Sequence, residues 1–259
     1  MTRTVTAVAV LVAALAVAAC GSGGGGSGGD RFDLALDFYV NPDHAGIYTA
    51  LENGYFEDAG LDVHPQVPSD PSAPIKQVAA GRVDPDSVDQ VDVGFNLMQP
   101  LIAGRADAMF GGFLNVEGVD LAERGLDPRV VPVDRLGVPT YDELVLVADG
   151  DRLRDDPEPI RDFLAALERG TYAAARDPQA ATDALVAAGN GLDPELTRAE
   201  VDRTLPRLLP PGDMPYGWMD PKRWQRFADY LYDAGQVETG PNAADLLTNA
   251  LLPPAQGPG

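Results

Sequence analysis

The sequence predicts an α/β fold with mostly parallel sheets, and three observations carry that expectation. Over residues 32–81, period-two alternation and helical spacing succeed one another in the order strand, helix, strand, helix. The same order begins again over residues 91–113. From Glu158 onward, apolar residues recur at helical spacing alone.

Ahead of the fold, Arg3 precedes an apolar run over residues 5–19, broken only by Thr6. The run is too short to span a bilayer and ends in small residues, as a signal peptide does. It stops at Val17-Ala18-Ala19-Cys20, which resembles a bacterial lipobox and implies export, cleavage and a lipid on Cys20. Cys20 is the sole cysteine, so it has no disulfide partner within the chain, and lipidation gives it a role. Residues 21–29 are glycine and serine only, a flexible tether. The folded part is therefore expected from Asp30.

Residues 32–38 alternate as a strand does, and residues 45–53 read as a helix closed by Gly54. A second strand is expected over 61–67. Ser72 caps a helix with Pro74 in its first turn, running through Ile75, Val78 and Ala79 to Gly81. Residues 91–95 then read as strand, 97–103 as a helix stopped by Gly104, and 106–113 as strand. A short helix over 116–124 and strands at 129–133 and 143–147 follow. Ile160, Phe163, Leu164 and Leu167, and later Trp224, Phe227, Leu231 and Tyr232, mark inward helix faces, with the aromatics expected in the core. Residues 253–259 read as a disordered tail.

Forty acidic against 19 basic residues give a formal charge of −21, which sets aside nucleic acid and anionic membrane surfaces as partners. Two histidines, and no cysteine beyond Cys20, leave few nucleophiles or metal ligands, and the chain carries no P-loop, nucleophile elbow or His-Glu-x-x-His. The reading is non-enzymatic, with no metal and no cofactor. Ligands of open α/β sheets sit outside the carboxyl ends of strands. That singles out residues 37–46 and 113–118. Glu117 there is either a helix N-terminal carboxylate complementing the dipole or a ligand contact. His44 is either a helix-start residue bonding backbone or a direct contact.

The run Asp37-Phe38-Tyr39-Val40-Asn41-Pro42-Asp43-His44-Ala45-Gly46-Ile47-Tyr48, followed by Asn53-Gly54-Tyr55-Phe56, resembles the signature of one family of periplasmic binding proteins. This is the thiamine-pyrimidine-precursor type, related to the yeast pyrimidine synthase and to sulfonate-binding proteins. Val91-Asp92-Val93-Gly94-Phe95-Asn96, Gly104-Arg105-Ala106-Asp107-Ala108, Asn115-Val116-Glu117-Gly118 and Val138-Pro139-Thr140-Tyr141-Asp142-Glu143 extend the resemblance over nearly all of the folded part.

The resemblance implies a type II periplasmic-binding-protein fold: two lobes around a hinge, with a small solute closed between them and passed to an ABC permease. Phe38, Tyr39 and Phe113 would stack on a flat aminopyrimidine, and Asp37 and Glu117 would accept its amino hydrogens. Asn41, His44, Tyr48, Asn96 and Asn115 complete the expected binding set. A sulfonate or another small heterocycle is the alternative ligand. The synthase branch uses a cysteine-rich motif that has no counterpart here. After Gly81-Arg82-Val83-Asp84 the sequence passes directly to a late second-lobe motif, as though about 80 to 100 residues of a usual lobe were absent. Lobe 1 is therefore expected over 30–84 and 139–252, and a shortened lobe 2 over 85–138. A truncated remnant that binds nothing is the further alternative. The protein is expected to be a monomer held by its lipid to the outer face of the cell membrane.

Overall fold

The computed structural model describes residues 29–36, 38–67 and 97–255. Its first strand, β1 (Asp30–Ala35), pairs in parallel with β2 (Leu61–Gln66), Asp30 opposite Leu61 and Ala35 opposite Gln66. Parallel strands need a crossover. Here it consists of a 3-10 turn at Pro42–His44, α1 (Ala45–Glu52) and α2 (Tyr55–Asp58). Gly54, at φ 67°, makes the left-handed bend between the two helices. The strand, helix, strand order read from residues 32–67 is present, although β1 stops three residues short of Phe38.

The remaining helices are α3 (Met98–Ile102), α4 (Glu117–Glu123), α5 (Gly150–Asp155), α6 (Glu158–Arg176), α7 (Pro178–Ala188), α8 (Pro194–Leu208) and α9 (Pro221–Asp233). Three of them open on Asp-Pro. The carboxylates of Asp177, Asp193 and Asp220 accept first-turn N–H groups, and the following proline needs no donor at that position.

Two apolar clusters form the core. Ala50, Phe56, Leu61, Val63, Phe163, Ala166 and Leu167 close the sheet against α1, α2 and α6. Val40, Ala45, Ala174, Ala181, Leu185, Val201 and Leu205 join the 3-10 turn and α1 to α6, α7 and α8. Phe163 is the hinge pin of the first, its ring stacked 4.6 Å from Phe32 and 5.3 Å from Phe56.

Several expected elements do not form. Among the described residues the sheet has two strands, and residues 106–113, 129–133 and 143–147 make no ladder. A strand is stable only when a neighbour takes its N–H and C=O groups. Here Pro132 removes a donor ahead of a 3-10 turn at Val133–Leu136, and Leu144 stands at φ 51°, which breaks the pleat. Val130, Val131, Leu144, Val145, Leu146 and Val147 are left exposed. The aromatic face of α9 is not in the core either: Trp224 and Phe227 are half-buried and Tyr232 is exposed, because irregular segments and not an α-helix or sheet lie against α9, with Tyr141 stacked on Phe227 at 4.5 Å and Gln225 bonded to Pro241 and Ala243. The signal peptide, residues 21–28 of the tether, the helix expected at 72–81 and the strand expected at 91–95 lie outside the described residues.

Candidate functional site

Where β1 gives way to the crossover, Asn41 starts the 3-10 turn. Its side-chain oxygen accepts the N–H of Asp43 at 2.8 Å, its own N–H is donated to Nδ1 of His44 at 3.4 Å, and its amide nitrogen donates to the Tyr39 carbonyl at 2.9 Å. This is a reciprocal capping arrangement. It puts one nitrogen of buried His44 to work on backbone, as the first of the two readings of that residue has it. Phe38 and Tyr39 meet edge to face at 5.7 Å, with Tyr39 half exposed. Tyr48, one turn into α1, packs against the helical core cluster, and burial pushes its phenol above the ordinary range.

The second expected place, residues 113–118, lies against this turn. The Asn115 amide is buried and donates to Oδ1 of Asp43 at 2.8 Å and to Oγ1 of Thr204 at 2.7 Å, so one side chain ties the start of α4 to the 3-10 turn and to α8. Glu117 is buried at the first position of α4, and its Oε2 accepts the Phe113 N–H at 2.7 Å. Burial pushes its carboxyl up; the Phe113 hydrogen bond works in the opposite direction. The two stretches singled out in the sequence, residues 37–46 and 113–118, thus lie side by side, joined by the Asn115–Asp43 hydrogen bond. Asp37 and Asn96 lie outside the described residues, as does Cys20.

Three acids that sequence reasoning passed over complete the neighbourhood. Asp43 receives Asn115. Asp120, buried on α4, is held by Nε of Arg124 at 2.6 Å. Glu200 is buried on α8, and burial, followed by the charges of Asp120, Glu117 and Asp43, pushes it up to about 8. A signal for Glu200 existed: with Thr197, Val201 and Thr204 it falls at i, i+3, i+4 and i+7 on the inward face of α8. Ionised carboxylates only accept hydrogen bonds, whereas a protonated one can also donate. Among the described residues no group of three or more His, Cys, Asp or Glu is placed to hold a metal ion.

Residues 41–85 and 82–181, together more than half of the chain, match the family described as NMT1/THI5 like, and the chain belongs to that family. A Haemophilus influenzae protein named for thiamine biosynthesis is 26% identical over 283 residues, covering 80% of this chain and 88% of the relative. A formylaminopyrimidine-binding protein of Halalkalibacterium halodurans is 25% identical over 279 residues, covering 77% of this chain and 84% of the relative. Both alignments are longer than the 259-residue chain itself, so each passes stretches of the relative that have no counterpart here. The two family segments overlap at residues 82–85.

Proposed function

We propose that this protein is the lipid-anchored, extracytoplasmic solute-binding component of an ABC importer and captures a pyrimidine-type thiamine precursor. The observation that carries the reading is the meeting of Asn115 and Glu117 with the Asn41–His44 turn, residues distant in sequence drawn to one place at the end of β1. Family membership and the formylaminopyrimidine-binding relative support the ligand class. On this reading lobe 1 comprises 30–84 and 139–252, lobe 2 is a shortened 85–138, and the aromatic rings of Phe38, Tyr39 and Phe113 stack on the pyrimidine while Asp37 and Glu117 take its amino hydrogens.

A second reading, a remnant that keeps the family's signature without its activity, is favoured by a specific contact. The Phe113 N–H already occupies one oxygen of Glu117. Thermal melts of the purified chain with aminopyrimidines, thiamine and taurine separate the two. A true ligand at about 100 times its Kd stabilises by about 2.7 kcal/mol, a shift of a few degrees. Under the first reading one pyrimidine raises the melt and Glu117→Ala abolishes the rise; a broad, non-cooperative melt blind to every candidate favours the remnant. For the anchor, Cys20→Ser is expected to move the protein from the membrane fraction to the soluble one, and its persistence on the membrane would remove lipidation from the proposal.

A further inference from the structure

Helix α8 carries an acid where its neighbours are apolar or hydroxylic. Thr197, Glu200, Val201, Thr204 and Leu205 form its buried stripe, while Arg198 and Asp202 pair with each other on the outer face. Four elements lie around the stripe. The 3-10 turn presents Asp43 and His44, and α4 presents Glu117 and Asp120, with Arg124 engaged on Asp120. From α7 come Ala181 and Leu185, and from α6 Ala174, none of them charged; Asp183 of α7 is turned outward to Gln179. Fully ionised, the seam would set Asp43, Glu117, Asp120 and Glu200 against the single guanidinium of Arg124 among the described residues. Ionising buried Glu200 beside these carboxylates therefore costs docking free energy.

We propose that the seam between α4 and α8 is a proton-operated latch: with Glu200 protonated, α4 and Asn115 lie against α8 and the 3-10 turn, and loss of that proton drives α4 off. Asn115 is the mechanical link, since its two hydrogen bonds, to Asp43 and Thr204, are the ones that α4 must break to leave. The direction follows from linkage. The carboxyl of Glu200 has an ordinary value of 4.5 and stands at about 8 in the docked state. Between those values the docked state holds a proton that the released one lacks, so docking is strongest on the acid side, weakens throughout the rise from about 4.5 to 8, and has no more to lose above it. Glu117, also raised by burial, pulls in the same direction. The latch requires no bound solute.

Amide hydrogen exchange of the full chain from pH 6 to 9, corrected for the intrinsic pH dependence of exchange, tests it. Asp120 and Arg124, whose N–H groups are donated to Val116 and Asp120, report on α4, and the interior of α6 serves as the internal reference. The opening of α4 is expected to rise by up to about tenfold per pH unit toward pH 8 and then level off, while α6 stays protected. Glu200→Gln, neutral at every pH, should remove most of the pH response of α4 opening, leaving only the smaller part that Glu117 contributes. Asn115→Leu, which removes both tie bonds, should leave α4 open at every pH. A pH-independent α4 in the unsubstituted chain overturns the latch, as does a Glu200→Gln chain that keeps the full pH response. Loss of α6 protection in step with α4 would also overturn it, since the pH response would then be global unfolding.

Discussion

At Gly170 the helices α1 and α6 approach so closely that an added Cβ would lie 2.3 Å from the carbonyl oxygen of Gly46 and 2.6 Å from the Cβ of Ala50. Reciprocally, a Cβ on Gly46 would lie 2.2 Å from Oγ1 of Thr171. A glycine inside a helix costs up to about 1 kcal/mol relative to alanine. Here the obstruction is backbone, so Gly170→Ala gains that propensity and loses more by forcing the helices apart, about 1–3 kcal/mol for overpacking. The urea midpoint is expected to fall at unchanged slope, and a rise would mean that α6 can slide freely on α1. Phe163→Ala, which empties the stack with Phe32 and Phe56, should cost about 3–5 kcal/mol in the same measurement. Phe163 was legible from its helical spacing with Ile160 and Leu167. Gly170 was not, because the reason for it lies on another helix.

Among the elements, the helices owe their boundaries to local chemistry and the strands do not. In α8, Oδ1 of Asp193 accepts the N–H groups of Glu195 at 3.0 Å and Leu196 at 2.9 Å, satisfying donors that the helix itself cannot. Asp193→Ala should therefore lower stability by about 1 kcal/mol, and Asp193→Asn by much less; equal losses would mean that charge rather than capping matters there. By contrast, residues 143–147 have the composition of a buried strand, yet Val147 is 91% exposed. Val147→Lys is accordingly expected to leave the melt within about 0.5 kcal/mol, as at other unconstrained surface positions. A loss of 2 kcal/mol or more would show that this segment is buried in solution.

Over the whole molecule, the two core clusters share α1 and α6, so the sheet and the C-terminal helices are mechanically joined through one helix pair. Hydrogen exchange should find the slowest amides in α1, β2 and α6 to α8, where buried apolar contacts are dense. Residues 126–149 make few backbone hydrogen bonds among the described residues and should exchange orders of magnitude faster. Uniform protection across both regions would contradict this division. The acidic charge acts at the same scale: it keeps the exposed aliphatic segments soluble through mutual repulsion, an effect that added salt weakens.

By itself the sequence determined most of the helices, the parallel β1–β2 unit and the family. Each of these rests on information close by in the chain: a cap, a period, a glycine stop, a motif. Tertiary structure alone decided which strand-like segments became strands, because a ladder needs a partner whose presence no local pattern reports. It also decided that Asp43, Asp120 and Glu200 share one seam. Acids are common along so acidic a chain, and only packing brings these three together, with Asp120 and Glu200 buried and Asp43 half-buried, where their charges are screened less than at the open surface.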